Sequence, residues 1–250
     1  MKTSETTYGT SSVARVRWIL YKEISSFFGS NIAPLAMGLT ALMCGMVSVL
    51  LTLVPNATYE QITAIIFHLF YIAIIITAVF LSMTAFVPEK KQGTMELLYT
   101  LPVSDLELTL GKFLMGAGLL TLISILMTLV YVLGIADAPW YMAVSGAIGL
   151  TLVAFYAYSV GVFASSLTES YLLSLLISAT LLISLEVTGF LSGLMPSPAR
   201  EILTHLHGLN HFTPFARGRI PFKGAMFFLS FTGFFLFLTV RTLESRRWRG

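Results

Sequence analysis

Charge is scarce in this sequence. Asp, Glu, Lys and Arg together make up 11% of its 250 residues, where a soluble domain carries roughly 25%. An ordinary soluble domain is therefore excluded. There is a single cysteine, Cys44, inside an apolar run, which rules out a disulfide framework and leaves the redox compartment unread. No G-x-x-x-x-G-K-S/T motif occurs. The only Gly-Lys pair, Gly111–Lys112, is followed by Phe113 and lacks the upstream glycine, so no P-loop nucleotide site is expected in this chain. H-E-x-x-H and G-x-S-x-G are also missing, and no two carboxylates share an apolar run, which argues against an enzyme. No basic patch carries interleaved aromatics, so nucleic acid is not expected as a partner. The first twelve residues are polar and a charged amphipathic stretch follows them, a pattern unlike a secretory signal.

Apolar sequence is abundant. Hydrophobic residues make up 56% of the chain and the mean hydropathy is +0.84. Several runs reach the ~20 residues that cross a hydrocarbon core. Six spans are expected, at 32–54, 62–87, 113–136, 140–167, 171–195 and 222–243. Ahead of them, residues 13–30 mix Arg15, Arg17, Lys22 and Glu23 with Val16, Ile19, Leu20 and Phe27 near one helical face. This reads as a helix lying along the bilayer surface, the alternative being a cytoplasmic extension of the first span. The expected fold class is an all-α integral membrane protein with six transmembrane helices, an N-terminal amphipathic interface helix, and short re-entrant external helices before the last span.

Basic residues set the expected orientation. Lys2, Arg15, Arg17 and Lys22 precede the first span, Lys90, Lys91 and Lys112 lie in or at the end of the loop 88–112, and Arg241, Arg246, Arg247 and Arg249 close the chain. That is 11 of the 15 Lys and Arg on one side, so both termini and the 88–112 loop are expected in the cytoplasm. The exception is the segment 196–221, with Arg200, Arg217 and Arg219, followed by Lys223. It is long and proline-bearing, and is expected to dip into the outer membrane face as one or two short helices.

The 88–112 loop is the one long charged interruption between apolar runs. A first helical piece is read at about 92–99, ended by Pro102. A second is capped by Ser104, with Asp105 and Glu107 in its first turn. Such a polar helix-turn-helix offers a grip to something outside the membrane. Small residues recur at four-residue spacing, at Gly189 and Gly193 and at Ala157, Gly161 and Ser165, which permits close helix approach within one chain or between two. Two polar groups fall inside expected spans, Glu186 and His68, and each reads either as a functional site or as a structural hydrogen bonder. His205, His207 and His211 cluster in 196–221, but without Cys or a nearby Asp they are not expected to hold a metal.

The run GTMELLYTLPVSDLELTLGKF at 93–113 resembles the loop between spans two and three in the six-span permease subunits of ABC-type exporters. The basic helix before the first span, ASSLTES at 164–170, NHFTPFARGRI at 210–220 and LTVRTLESRRW at 238–248 fit in the same order. Within that class it looks most similar to the branch containing gliding-motility and nitrous-oxide-reductase-maturation permeases. The resemblance implies a single ABC transporter transmembrane domain over 1–250, in the cytoplasmic (inner) membrane. A second permease chain, identical or different, would pair with it, and separate ATPase subunits would bind ATP and Mg, this chain holding no cofactor. Gly93, Thr94, Glu96, Leu97, Leu98, Pro102, Ser104 and Asp105 would form the coupling segment, with Thr168 and Glu169 as a second contact. The segment 196–221 would close an outer gate through His211, Phe212, Phe215 and Arg217. Tyr99 departs from the aliphatic residue usual there, and Glu186 is no feature of the class. The expected function is export of a substrate driven by the partner ATPase. The alternative is a non-transporting platform that passes ATPase-driven motion to an extracytoplasmic machine.

Overall fold

A computed structural model describes residues 59–95, 104–134 and 139–247, together with 16–17, 19–22 and the single helical positions 38, 42 and 45. The chain is an all-α integral membrane protein. Among the described residues there is no strand, and five helices are long and apolar enough to cross a membrane. The expected span at 32–54 lies outside the described residues apart from its three isolated helical positions.

The first described helix, α1, runs Tyr59–Ser82, three to five residues ahead of the expected 62–87. Its end follows from Pro88, which has no N–H to return to the carbonyl of residue 84 and cannot sit inside a continuing helix. The chain turns at 83–86 and restarts as α2, Val87–Lys91, with proline at its start, where a missing N–H costs nothing. Of the short helix expected at about 92–99, residues 92–94 are a turn and Met95 is helical, while 96–99 lie outside the described residues. α3, Asp105–Gly134, begins eight residues before the expected span at 113. Nothing between Ser104 and Phe113 breaks a helix, so the second piece of the loop and the third span are one rod. At 1.5 Å per residue it is about 45 Å long, against a hydrocarbon core of about 30 Å.

α4, Trp140–Leu167, is the centre of the bundle. α1 and α3 pack on it, as do α5, Tyr171–Ser192, and α8, Phe222–Arg247. Its aromatic seam meets α8 directly, Tyr156 lying 5.8 Å from Phe228 and 5.9 Å from Phe231, and Phe163 lying 5.8 Å from Phe235. Small residues let α1 come close. A Cβ at Gly161 would stand 1.9 Å from Ser82 Oγ, so the small-residue spacing at Gly161 serves packing inside this chain. α5 is polar inward and apolar outward. Ser174, Ser178 and Leu182 are buried, while Leu172, Leu176, Ile183 and Phe190 are exposed, as suits a helix facing lipid.

Between α5 and α8 the chain forms two short helices, α6 at Ala199–Leu206 and α7 at Gly208–Ala216. α6 has no buried residue. α7 is wedged among α1, α4, α5 and α8, with Phe212, Phe215 and Ala216 fully buried.

If α1 and α4 depend on this close approach, Gly161→Ala should lower the thermal midpoint of the purified protein by the equivalent of about 1–3 kcal/mol. Ser82→Gly in the same chain should restore it. Gly118→Ala, where a Cβ meets nothing within 4 Å, serves as control, and an equal loss there would refute the packing account.

Candidate functional site

Two polar constellations sit at opposite ends of the bundle. The first gathers around α2. Lys90 reaches the end of α4 and donates from Nζ to the carbonyls of Ser165 at 3.2 Å, Ser166, and Thr168 at 3.4 Å. A helix leaves its last carbonyls without intrahelical partners and carries negative potential there, so an ammonium at that place meets both needs. The Phe86 N–H, exposed by the break before α2, donates to Ser165 Oγ at 2.9 Å. Lys91 lies over the Tyr171 ring at 5.5 Å. The two segments expected to meet a partner, the loop after Pro88 and the turn 168–170, are therefore bound into one surface.

Gly93 ends α2 with φ of 68°, a left-handed conformation that glycine adopts freely. Thr94 closes the turn, its N–H and its Oγ1 both donating to the Glu89 carbonyl, at 3.0 and 3.2 Å. Ser104 and Glu107 form a reciprocal capping box. Glu107 N–H donates to Ser104 Oγ at 3.2 Å and Ser104 N–H to Glu107 Oε2 at 3.0 Å. Asp105 is buried, whereas Glu169 is exposed. Glu96, Leu97, Leu98 and Pro102 lie outside the described residues.

An ion network that sequence reasoning missed fixes α2 to its neighbours. Lys112 on α3 is 2% exposed and pairs with Glu89 Oε2 at 3.0 Å, while Lys22 of the N-terminal segment approaches Glu89 Oε1 at 3.3 Å. Ile19, from that same segment, is buried, and a Cβ at Gly111 would lie 2.7 Å from its Cγ2. In the sequence Lys90 and Lys112 counted only toward the basic asymmetry, and no spacing rule links them to residues 22, 89 or 165.

The second constellation lies under α7. Glu186 on α5 accepts a hydrogen bond from the Tyr71 hydroxyl of α1 at 2.5 Å, and His207, at the bend between α6 and α7, stands 3.7 Å from its other oxygen. Gly208 makes the bend possible, since a Cβ there would lie 2.6 Å from the Tyr71 oxygen and 2.7 Å from Glu186 Oε1. His68 contacts Thr213 Oγ1 of α7 at 3.3 Å. Both intramembrane polar residues thus hold α7, one on each side. His211 stacks on Phe227 at 4.1 Å and meets the His205 carbonyl at 3.0 Å. Burial pushes the His211 imidazole below its ordinary value, and Lys223, His205 and His207 add to that push against the opposing effect of the carbonyl. Phe212 and Phe215 are buried anchors, and Arg217 is exposed. Tyr71 was not legible beforehand, because one tyrosine in an apolar run carries no pattern.

Glu89→Ala should destabilise the protein by on the order of 3 kcal/mol, since it strips a buried ammonium of its carboxylate. Lys22→Ala, at an exposed pair, should cost at most about 1 kcal/mol. Equal effects in a denaturation series would contradict the assigned network. At the other end, Tyr71→Phe should speed amide exchange across 199–216 and leave exchange in 87–95 as it was.

A family model described as ABC-2 family transporter protein matches residues 35–229. The search of curated proteins gave no match. The matched stretch takes in the broken helix before α2, the capped start of α3, the central α4, and the α6–α7 hairpin. With well over half of its length matched, the chain belongs to the ABC-2 family of transporter proteins.

Proposed function

We propose that this permease exports a substrate across the cytoplasmic membrane, driven by a separate ATPase subunit that binds ATP and Mg and docks against the 93–105 segment that follows α2 and against the 168–170 turn. The family is that of a membrane transport component, not itself a nucleotide-binding ATPase, and it implies an ABC ATPase partner. The observation that carries the docking site is Lys90. By binding the last carbonyls of α4, it makes α2, which leads into the motif, and the second turn one body, continuous with the helix on which the rest of the bundle packs. A push on either segment then reaches α4. ATP-driven motion follows only if the partner binds two conformations of this body with different affinity.

The remainder of the reading rests on the same geometry. Lys22, Lys90, Lys91, Lys112 and Arg241 all belong to the α2 end of the bundle, and basic residues gather on the cytoplasmic side, which puts α6 and α7 outside. There, Phe212 and Phe215 anchor α7 as an outer gate, with His211 and Arg217 on its less buried side. A second permease chain, identical or different, completes the pathway, and by motif the chain resembles the branch of gliding-motility and nitrous-oxide-reductase-maturation permeases.

Coexpression with the cognate ATPase tests this. Glu96→Lys and Glu169→Lys should each reduce copurification of the ATPase about tenfold while leaving membrane insertion and thermal stability intact. Wild-type copurification and wild-type ATPase stimulation in both variants would refute the docking site. Coupling that survives in proteoliposomes without any transported substrate would favour the force-transmitting platform instead.

A further inference from the structure

At the end of the bundle where α1 begins and α7 ends, a cleft of about 380 Å3 is lined by Glu60, Gln61, Ala64, Arg217 and Arg219. Ligand sites commonly run from about 300 to 1,000 Å3. The two arginines stand on an anchored turn. Gly218 between them has φ of 80°, and the chain folds so that the N–H groups of Arg217 and Arg219 both reach the Pro214 carbonyl, at 3.1 and 3.0 Å. The Arg219 carbonyl accepts from Ser145 Oγ of α4 at 2.9 Å. The facing wall is the first turn of α1, which brings one carboxylate and one carboxamide. The lining therefore offers two positive groups and one negative group across a small space.

Two further observations place the cleft at head-group level. Tyr141 packs beneath the turn, a Cβ at Gly218 falling 2.6 Å from its ring, and Trp140 beside it is exposed. A Trp–Tyr pair at the start of a long apolar helix is the mark of a membrane–water interface. Arg217 and Arg219 also belong to the group of basic residues that runs against the one-sided distribution of the other eleven. Positive charge there needs its own reason, and an anionic ligand supplies one.

We propose that this cleft binds a phosphate ester bearing an amine, the chemistry of an aminophospholipid head group, with Arg217 and Arg219 on the phosphate and Glu60 on the ammonium. Guanidinium forks suit phosphate oxygens. A simple anion would meet Glu60 and a simple cation would meet both arginines, whereas a zwitterion satisfies the whole lining. This site does not depend on the ATPase docking proposed above.

The test is native mass spectrometry of the delipidated full-length protein, incubated with mixed micelles holding equal amounts of phosphatidylethanolamine and phosphatidylglycerol. The wild type should retain phosphatidylethanolamine preferentially. The double variant Arg217→Ala/Arg219→Ala should lose retention about tenfold or more, and Glu60→Gln should move the preference toward phosphatidylglycerol. Arg200→Ala/Lys223→Ala, which alters charges at the same end outside the cleft, should retain lipid like the wild type. Unchanged retention in the double arginine variant, an unchanged lipid ratio in Glu60→Gln, or an equal loss in the Arg200/Lys223 control would overturn the proposal. Soluble phosphoethanolamine at matched head-group concentration separates the sources. Competition would identify a free phosphate ester as an occupant, and its failure to compete would identify the bilayer lipid; both support the assigned chemistry.

Discussion

A backbone N–H or carbonyl buried away from water must find a partner within the protein, and the described breaks in this chain's helices carry that constraint. At 83–86 the polypeptide stops being helical, and the Phe86 N–H is taken by a serine hydroxyl from α4. One turn later, Lys90 occupies the carbonyls at the end of that same helix. Ser104 and Glu107 serve each other's amides at the start of α3. The architecture follows from where these partners stand. A helix interrupted between long apolar runs must be interrupted beside another helix that supplies the missing groups, and here that helix is α4.

The same reasoning explains why charge can be buried at the α2 end. Lys112 and Glu89 are costly apart and tolerable together, and their pairing ties α3 to the short helix before the loop. Lys22 adds the N-terminal segment to this pair at a more exposed position. Three parts of the chain that are distant in sequence meet at one carboxylate. At the other end of the molecule Tyr71 donates to Glu186, and His207 of the hairpin stands beside the second carboxylate oxygen.

Long elements were legible in the sequence because apolar length is a strong and local signal. The span 140–167 was read with the bounds of the helix itself, and 171–195 and 222–243 differ from their helices only near the ends. Boundaries at polar residues were harder. The start of α3 was read as a separate piece because Asp105, Glu107 and Lys112 looked like loop charges, yet the fold buries all three. The break at 83–86 carried a visible cause, Pro88, but its effect appears four residues earlier, where the proline leaves a carbonyl without a donor. Of the candidate site residues, the motif positions could be located by resemblance. Glu186 and His68 stood out as polar groups in apolar runs. The partners that define their roles, Tyr71 and Thr213, are set by tertiary contact alone, and no local spacing announces such a contact.

The aromatic seam between α4 and α8 has a bearing on how the protein comes to exist. Tyr156 and Phe163 find Phe228, Phe231 and Phe235 only in α8, a helix synthesised well after α4 itself. Until residues 222–243 enter the membrane, the hub helix presents its bulkiest groove to lipid or to insertion chaperones. Maturation of the core is thus delayed until α8 has been made, and a nascent chain stalled before that point would be a natural substrate for membrane quality-control proteases.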